Sequence, residues 1–259
     1  VPMDPAQLAD AIPAATIIIF RRGPSGGAPE LLMVTRAQSM SFAAGAAVFP
    51  GGRVDAGDRA VAAELPGDAD ETAHRIAAIR ETLEETGLVI GVRGTVDAER
   101  AAAARRLLLE SGAFAPVLAA MGWSLDCDAI LPFARWHPRN ERLARVFDTR
   151  FYLANLGTGA VEIAVDETEN THLFWTTARD ALAAADRGDL RVIYPTRRNL
   201  ERLAQFATFA DAAIDCLRHP VRTISPFVTT EQGTRWLRIP ADLGYPITGE
   251  PLDGAMRGG

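Results

Sequence analysis

The chain has 259 residues, 48% of them apolar and 23% charged, with a formal net charge of −6 and a pI near 5.3. Glycine and proline are spread without a period, which excludes disorder and collagen-like repeats. The acidic balance, with no basic run interleaved with aromatics, disfavours duplex nucleic acid as the main ligand. Cys127 and Cys216 stand alone, so no disulfide framework or zinc site is expected, and the reading is of two reduced thiols in a cytoplasmic protein. The length permits one elaborated domain, and residues 1–259 are read as one.

Ala11–Phe20 is the one signal-like stretch, but no positive region precedes it and about ten apolar residues are too few to cross a bilayer. It reads as a buried strand. Thr16–Phe20 and Glu30–Thr35, with turn chemistry at Pro24–Gly27, predict a hairpin. Ala46–Phe49 predicts a strand ending in a special turn at Pro50-Gly51-Gly52. Ala98–Glu110 predicts a helix stopped at Ser111-Gly112, with a shorter one around Pro116–Met121. Strands are expected at Ile130–Trp136 and Arg150–Ala154, then helices at Ala178–Asp186 and Thr196–Leu217, with Pro195 just ahead of the second. From Pro220 on, the expectation is irregular chain or short strands. Strands and helices mix without regular alternation, so the fold class is α+β.

Asp68–Thr86 carries the chemistry. On a helix of about 3.6 residues per turn, Glu85 falls about 40° from Glu81 on one side and Glu84 about 60° on the other. Ile76, Ile79 and Leu83 project to the opposite face. Asp68 and Glu71 have the spacing of a capping box, and Gly87 stands where a left-handed C-cap is wanted. Like charges three and four residues apart destabilise a bare helix, which calls for a cation, and hard oxygen donors suit Mg²⁺ or Mn²⁺. A solvated acidic face is the bland alternative. Two features weigh against it: the Gly51-Gly52 turn can bring bare backbone to metal or phosphate, and Arg80 can fix a carboxylate as a bidentate ion pair. His74 projects onto the carboxylate face and is expected to be solvated.

These residues resemble the Nudix box, G-x5-E-x7-R-E-U-x-E-E-x-G-U. Arg80, Glu81, Glu84, Glu85, Gly87 and Leu88 match its second half in register. Gly52 matches its first half, but Asp58 stands at the glutamate position, and residues 59–79 occupy a gap in which the pattern has only seven residues. The box thus carries an insertion, placed at about 59–73. Val48–Asp55, Ala77–Thr82, Pro132–Trp136 and Phe147–Ala154 are similar to the peroxisomal-type acyl-CoA diphosphatase branch. The upstream motif of CoA-cleaving members is met at Arg36, Ala37, Gly45, Phe49, Pro50, Gly51 and Gly52, with Ser41 in place of its second arginine.

The resemblance implies a Nudix α/β/α sandwich with a mixed sheet, extra helices and a C-terminal helix and tail over about 196–259. It implies a diphosphatase cleaving CoA or acyl-CoA to 3′,5′-ADP and (acyl-)4′-phosphopantetheine. An ADP-ribose or NADH pyrophosphatase and a non-catalytic nucleotide-sensing module are the alternatives. Glu81, Glu84 and Glu85, with the Gly51 carbonyl, would hold Mg²⁺ or Mn²⁺. Arg80 and Glu84 would act in catalysis with Glu169, for which Glu167 is the rival. Asp58 would stand in for the first glutamate. Arg36, Gly45, Phe49 and Gly52 would meet the substrate, a small-molecule nucleotide. Neither nucleic acid nor a membrane is expected as a partner, and a homodimer is allowed.

Overall fold

The computed structural model describes residues 11–23, 26–36, 43, 45–138, 146–157 and 170–255. The chain begins with β1 (Ile12–Arg21) and β2 (Glu30–Arg36), then β3 (Ala47–Val48), β4 (Gly51–Arg53), α1 (Ala56–Ala63) and α2 (Ala69–Thr86). Next come β5 (Val92–Arg93), α3 (Ala98–Ser111), α4 (Phe114–Met121), β6 (Ser124–Leu125), a 3₁₀ turn, β7 (Leu131–Trp136), β8 (Phe147–Gly157) and β9 (Asn170–Thr177). The C-terminal part holds α5 (Ala178–Arg187), α6 (Tyr194–Leu203), α7 (Phe209–Arg218), β10 (Thr223–Ile224), β11 (Phe227–Glu231), β12 (Thr234–Arg238), β13 (Gly249–Pro251) and α8 (Leu252–Ala255).

The main sheet runs β10-β7-β8-β1-β2-β3, with β4 on β1 and β9 on β2. β1 is parallel to β8 and antiparallel to β2 and β4, so the sheet is mixed. Its central strand is apolar on both sides. Ala15, Ile17 and Ile19 pack with Ile76, Ile79 and Leu83 of α2, while Ile18 and Phe20 pack with Leu200, Leu203 and Ala212 of α6 and α7. Helices on both faces explain the unbroken Ile17-Ile18-Ile19-Phe20 run, which an amphipathic strand would not show. Each such side chain, fully buried, contributes roughly 1.5–3 kcal/mol.

The predicted hairpin is a fork. β1 and β2 pair only at Phe20–Leu31 and Arg21–Glu30. Beyond that they diverge, and the segment from β3 to β4 crosses the gap, pairing with β2 at Val34 and Thr35 and then with β1 at Ala14–Thr16. The expected strand end at Pro50 is therefore a change of partner, with the Ile17 amide donating to the Pro50 carbonyl.

Helix α2 has the expected ends. The Asp68 carboxylate accepts from the amides of Asp70 and Glu71, and Gly87 adopts φ 74°. The capping box is one-sided, however, because the Glu71 carboxylate turns to Arg75 and Arg150. Helix α1, which no periodicity announced, runs from the first half of the box into the insertion. The helix expected over Thr196–Leu217 is two, α6 and α7, since Thr208 accepts from the Asp211 amide as a fresh N-cap. The tail folds β11, β12 and β13 into a separate antiparallel sheet. No helix among the described residues is long and apolar enough to cross a membrane.

Candidate active site

Arg80 lies at the centre of the site, and it is 5% exposed. Its guanidinium carries five N–H groups, and each has an acceptor. Nε and Nη2 donate to the two oxygens of Asp58, both at 3.0 Å. The other Nη2 donor reaches the Arg53 carbonyl at 2.9 Å. Nη1 donates to Glu81 Oε1 at 2.9 Å and to Glu84 Oε2 at 3.2 Å. A buried guanidinium is costly unless paired and hydrogen-bonded throughout, and here it is. Arg80 therefore orients both Glu81 and Glu84, where the sequence left the choice between them open. Surrounded by carboxylates, it is held above its ordinary pKa, although burial alone would lower it.

Asp58 is 1% exposed and fixed twice, since its Oδ2 also accepts from the Asp55 amide at the start of α1. The first turn of α1, just ahead of the insertion, thus presents the carboxylate that Arg80 needs.

Opposite α2 runs β4. The amide of Ile17 donates to Pro50 and that of Val54 to Pro13. Hydrogen-bonded pairs alternate along an antiparallel ladder, so Gly51 and Arg53 turn their backbone groups away from β1. Both turn towards α2. The Gly51 amide donates to Glu85 Oε2 at 3.0 Å, and the Arg53 carbonyl serves Arg80. The Gly51 carbonyl leaves the strand on the same side as its amide.

The two glycines are needed for different reasons. A Cβ on Gly51 would lie 2.3 Å from the Ala15 carbonyl oxygen and 2.6 Å from the Thr16 Cα, a clash with backbone. A Cβ on Gly52 would lie 2.2 Å from Glu81 Oε1. Gly52 is the floor on which the Glu81 carboxylate rests. Burial, with Glu85 and Glu84 adding to it against the pull of Arg80, pushes the Glu81 carboxyl up to about 8.

Whether these residues suit a divalent cation can be judged from their donors. Three carboxylates one helical turn apart, with a backbone carbonyl available at Gly51, form a hard-oxygen set of the kind Mg²⁺ and Mn²⁺ prefer. Among the described residues no three such side chains close into a cage. Mg²⁺ does not need one, as it keeps several waters and is shared between one or two carboxylates and substrate phosphates. The set fits.

No family model matches the chain. It is 26% identical to the acyl-coenzyme A diphosphatase NUDT19 of Gallus gallus, over 74% of this chain and 66% of that protein. It thus spans slightly under two thirds of that relative's length. A crystal structure of a Nudix hydrolase from Alicyclobacillus acidocaldarius superposes with a TM-score of 0.67 at 28% identity, covering 78% of this chain and 95% of that one. In sequence and in fold the chain is similar to Nudix hydrolases, and among them it resembles an acyl-CoA diphosphatase.

The structure brings Arg80, Glu81, Glu84, Glu85, Asp58, Gly51 and Gly52 together around one end of α2. Arg36 and Phe49 lie beside them, lining a cavity that Gly51 also walls. Gly45, at φ 68°, donates its amide to the Arg36 carbonyl and so shapes the turn rather than presenting a side chain. Glu167, Glu169, Ala37 and Ser41 lie outside the described residues. His74 is buried, not solvated, with Nδ1 2.7 Å from the Asp70 carbonyl. Burial holds it below the ordinary histidine range. The Arg53 carbonyl was missed, and no side-chain pattern could have shown a backbone acceptor. Trp136 and Phe147 also line the cavity wall. On β8 the alternation Phe147, Thr149, Phe151 is the signal that places those side chains on one face.

Proposed function

We propose that this chain is a metal-dependent Nudix diphosphatase acting on CoA or acyl-CoA, built as one elaborated domain. The observation that carries the reading is the Arg80 constellation, in which one buried guanidinium holds Glu81 and Glu84 beside the Gly51 amide that donates to Glu85. The similarity to an acyl-coenzyme A diphosphatase supports the substrate class.

In the reaction, water attacks a phosphorus of the diphosphate and the bridging P–O bond breaks, giving 3′,5′-ADP and (acyl-)4′-phosphopantetheine with release of a proton. Glu81, Glu84 and Glu85, with the Gly51 carbonyl, would hold Mg²⁺ or Mn²⁺. Such an ion supplies charge neutralisation on the phosphoryl oxygens and lowers the pKa of a bound water. Arg80 stays cationic throughout and fixes the directions of Glu81 and Glu84. Glu84, the more exposed of that pair with 34% of its side chain accessible, is placed to orient the attacking water. Glu169, with Glu167 as its rival, is the candidate to receive the proton, and Arg36 is the candidate for a substrate phosphate.

The test is incubation of the pure protein with Mg²⁺ or Mn²⁺ and a panel of CoA, acyl-CoA, ADP-ribose, NADH and dinucleoside polyphosphates, with products separated by chromatography. The expected outcome is cleavage of CoA esters at the diphosphate, abolished by chelation. Preferential cleavage of ADP-ribose or NADH would overturn the substrate and leave the reaction. No turnover of any member, with Glu84→Gln binding ligand as tightly as the wild type, would leave a nucleotide sensor instead.

A further inference from the structure

Gly51 has two neighbourhoods. Its amide holds Glu85 on the α2 side, and on the other side it walls a cavity of about 130 Å³. That volume is well below the roughly 300 Å³ at which pockets for drug-sized ligands begin, so the cavity admits one ring or a short branch, not a whole nucleotide. Four of its walls are aromatic: Phe49, Trp136, Phe147 and Phe151. Arg36 completes the rim, and its Nε is buried with no hydrogen-bond partner among the described residues.

The aromatic wall is held rigid from behind. The Trp136 indole N–H donates to Asn199 Oδ1 at 3.2 Å, and the same oxygen accepts from the Tyr245 hydroxyl at 2.7 Å. Tyr194 and Tyr245 meet the indole edge-to-face, at 6.1 and 6.0 Å. A void meant only to be filled by core motion does not need a clamp of three polar and ring contacts. A larger cavity, about 430 Å³, opens at the other end of β1 beside Arg22 and Thr208, and it touches none of these residues.

We infer that the Phe49–Trp136–Phe147–Phe151 cavity is the subsite for the heterocyclic base of the substrate, with Arg36 at its rim for a phosphate of the same nucleotide. A flat ring matches aromatic walls and a small volume, and base–aromatic stacking is tolerant of base identity. The subsite touches Gly51, so it can hold only a group close to the diphosphate. That excludes the acyl end, which a whole pantetheine arm separates from the cleaved bond. The remaining competitor is the branched pantoyl group, which also adjoins the diphosphate.

The inference rests on the diphosphatase reading for its substrate, and binding of the two product halves tests it separately. Adenosine 3′,5′-bisphosphate and 4′-phosphopantetheine are titrated by calorimetry into the wild type, Phe147→Leu, which removes a ring, and Thr149→Leu, which fills the cavity from β8. Both variants should bind the bisphosphate about tenfold more weakly, the scale of one lost base stack. Phosphopantetheine binding should not change. With CoA, KM should rise by the same factor and kcat stay within about twofold, the pattern of lost uniform binding. Weakened binding of phosphopantetheine alone would overturn the base assignment in favour of the pantoyl group. Unchanged binding of both halves, in variants whose thermal unfolding matches the wild type, would reduce the cavity to a packing void. Absence of CoA turnover in the wild type, with bisphosphate binding still lost in the variants, would sink the CoA reading and leave the subsite standing.

Discussion

Helix α2 carries an ionic cluster at each end. Among the described residues, at the N-terminal end Arg59, Arg75 and Arg150 meet Asp70, Glu71 and Asp128 in ion pairs. At the C-terminal end, among the described residues, Arg80 meets Asp55, Asp58, Glu81 and Glu84, with Glu85 on the Gly51 amide. The first cluster is balanced, with its carboxylates partly or fully open to solvent, and it ties the insertion end of the helix to β8. The second is buried around its arginine and, among the described residues, gathers more carboxylates than cations. A balanced, solvated cluster contributes little to stability. A surplus of buried carboxylates is costly in isolation, and a bound cation offsets it. The contrast separates a fastening from a site on one and the same helix.

The largest effect expected from breaking this contrast is on stability. Asp58→Ala strips two acceptors from the buried Arg80, and removing one partner of a buried pair costs about 3–5 kcal/mol. Denaturant unfolding would show it, and a loss under about 1 kcal/mol would mean that Arg80 re-pairs with Asp55. Next comes Glu84→Gln, for which turnover should fall roughly 10²–10³-fold, the scale of losing one preorganised electrostatic contact. Its melting temperature in the absence of metal should hold or rise, because a like charge is gone. Activity within tenfold of wild type would reduce the surplus charge to an acidic surface.

The two glycines sharpen the comparison. Gly52→Ala should cost about 10–100-fold in metal affinity, since the group it displaces is the Glu81 carboxylate, while unfolding stays near wild type. Gly51→Ala pushes against backbone and should destabilise by about 1–3 kcal/mol. Equal stability losses in the two variants would contradict the assignment. Smaller still is Arg150→Gln in the balanced cluster, with about 1 kcal/mol of stability lost and kcat within about twofold of wild type.

The smallest effect is a change in pH slope. His74 is buried at the balanced end, and its folded pKa lies below the ordinary value. Its contribution to stability is therefore present above the ordinary histidine pKa and lost as pH falls through the lowered one. Between pH 7 and 5 the wild type should lose more stability than His74→Asn. Parallel curves would show that His74 is not the group being charged.

Much of this was legible in the residues. The helical projection of Glu81, Glu84 and Glu85 and the apolar run Ile17–Phe20 pointed to α2 and the strand behind it, because both depend on strict periods. The role of Asp58 was not legible, since its partner is 22 positions away and only α1 brings them together. His74 was misjudged because projection along one helix says nothing about β8, which covers that face with Asp148 and Arg150. The break between α6 and α7 turned on a single N-cap, Thr208, inside an otherwise helical stretch. The fork of β1 and β2 is a tertiary event, set by where β4 inserts, and no local pattern records it.

Helix α1 lengthens the path between Asp58 and Arg80 without lengthening the distance. A recurring pattern that counts residues from one carboxylate to the next is a one-dimensional record of a contact, and it fails when chain is looped out between the two ends. Closing a longer loop costs only about 0.6 kcal/mol per doubling of its length, so the protein bears the detour easily even though the spacing no longer matches. In this chain the feature that survives the detour is the guanidinium with its five acceptors.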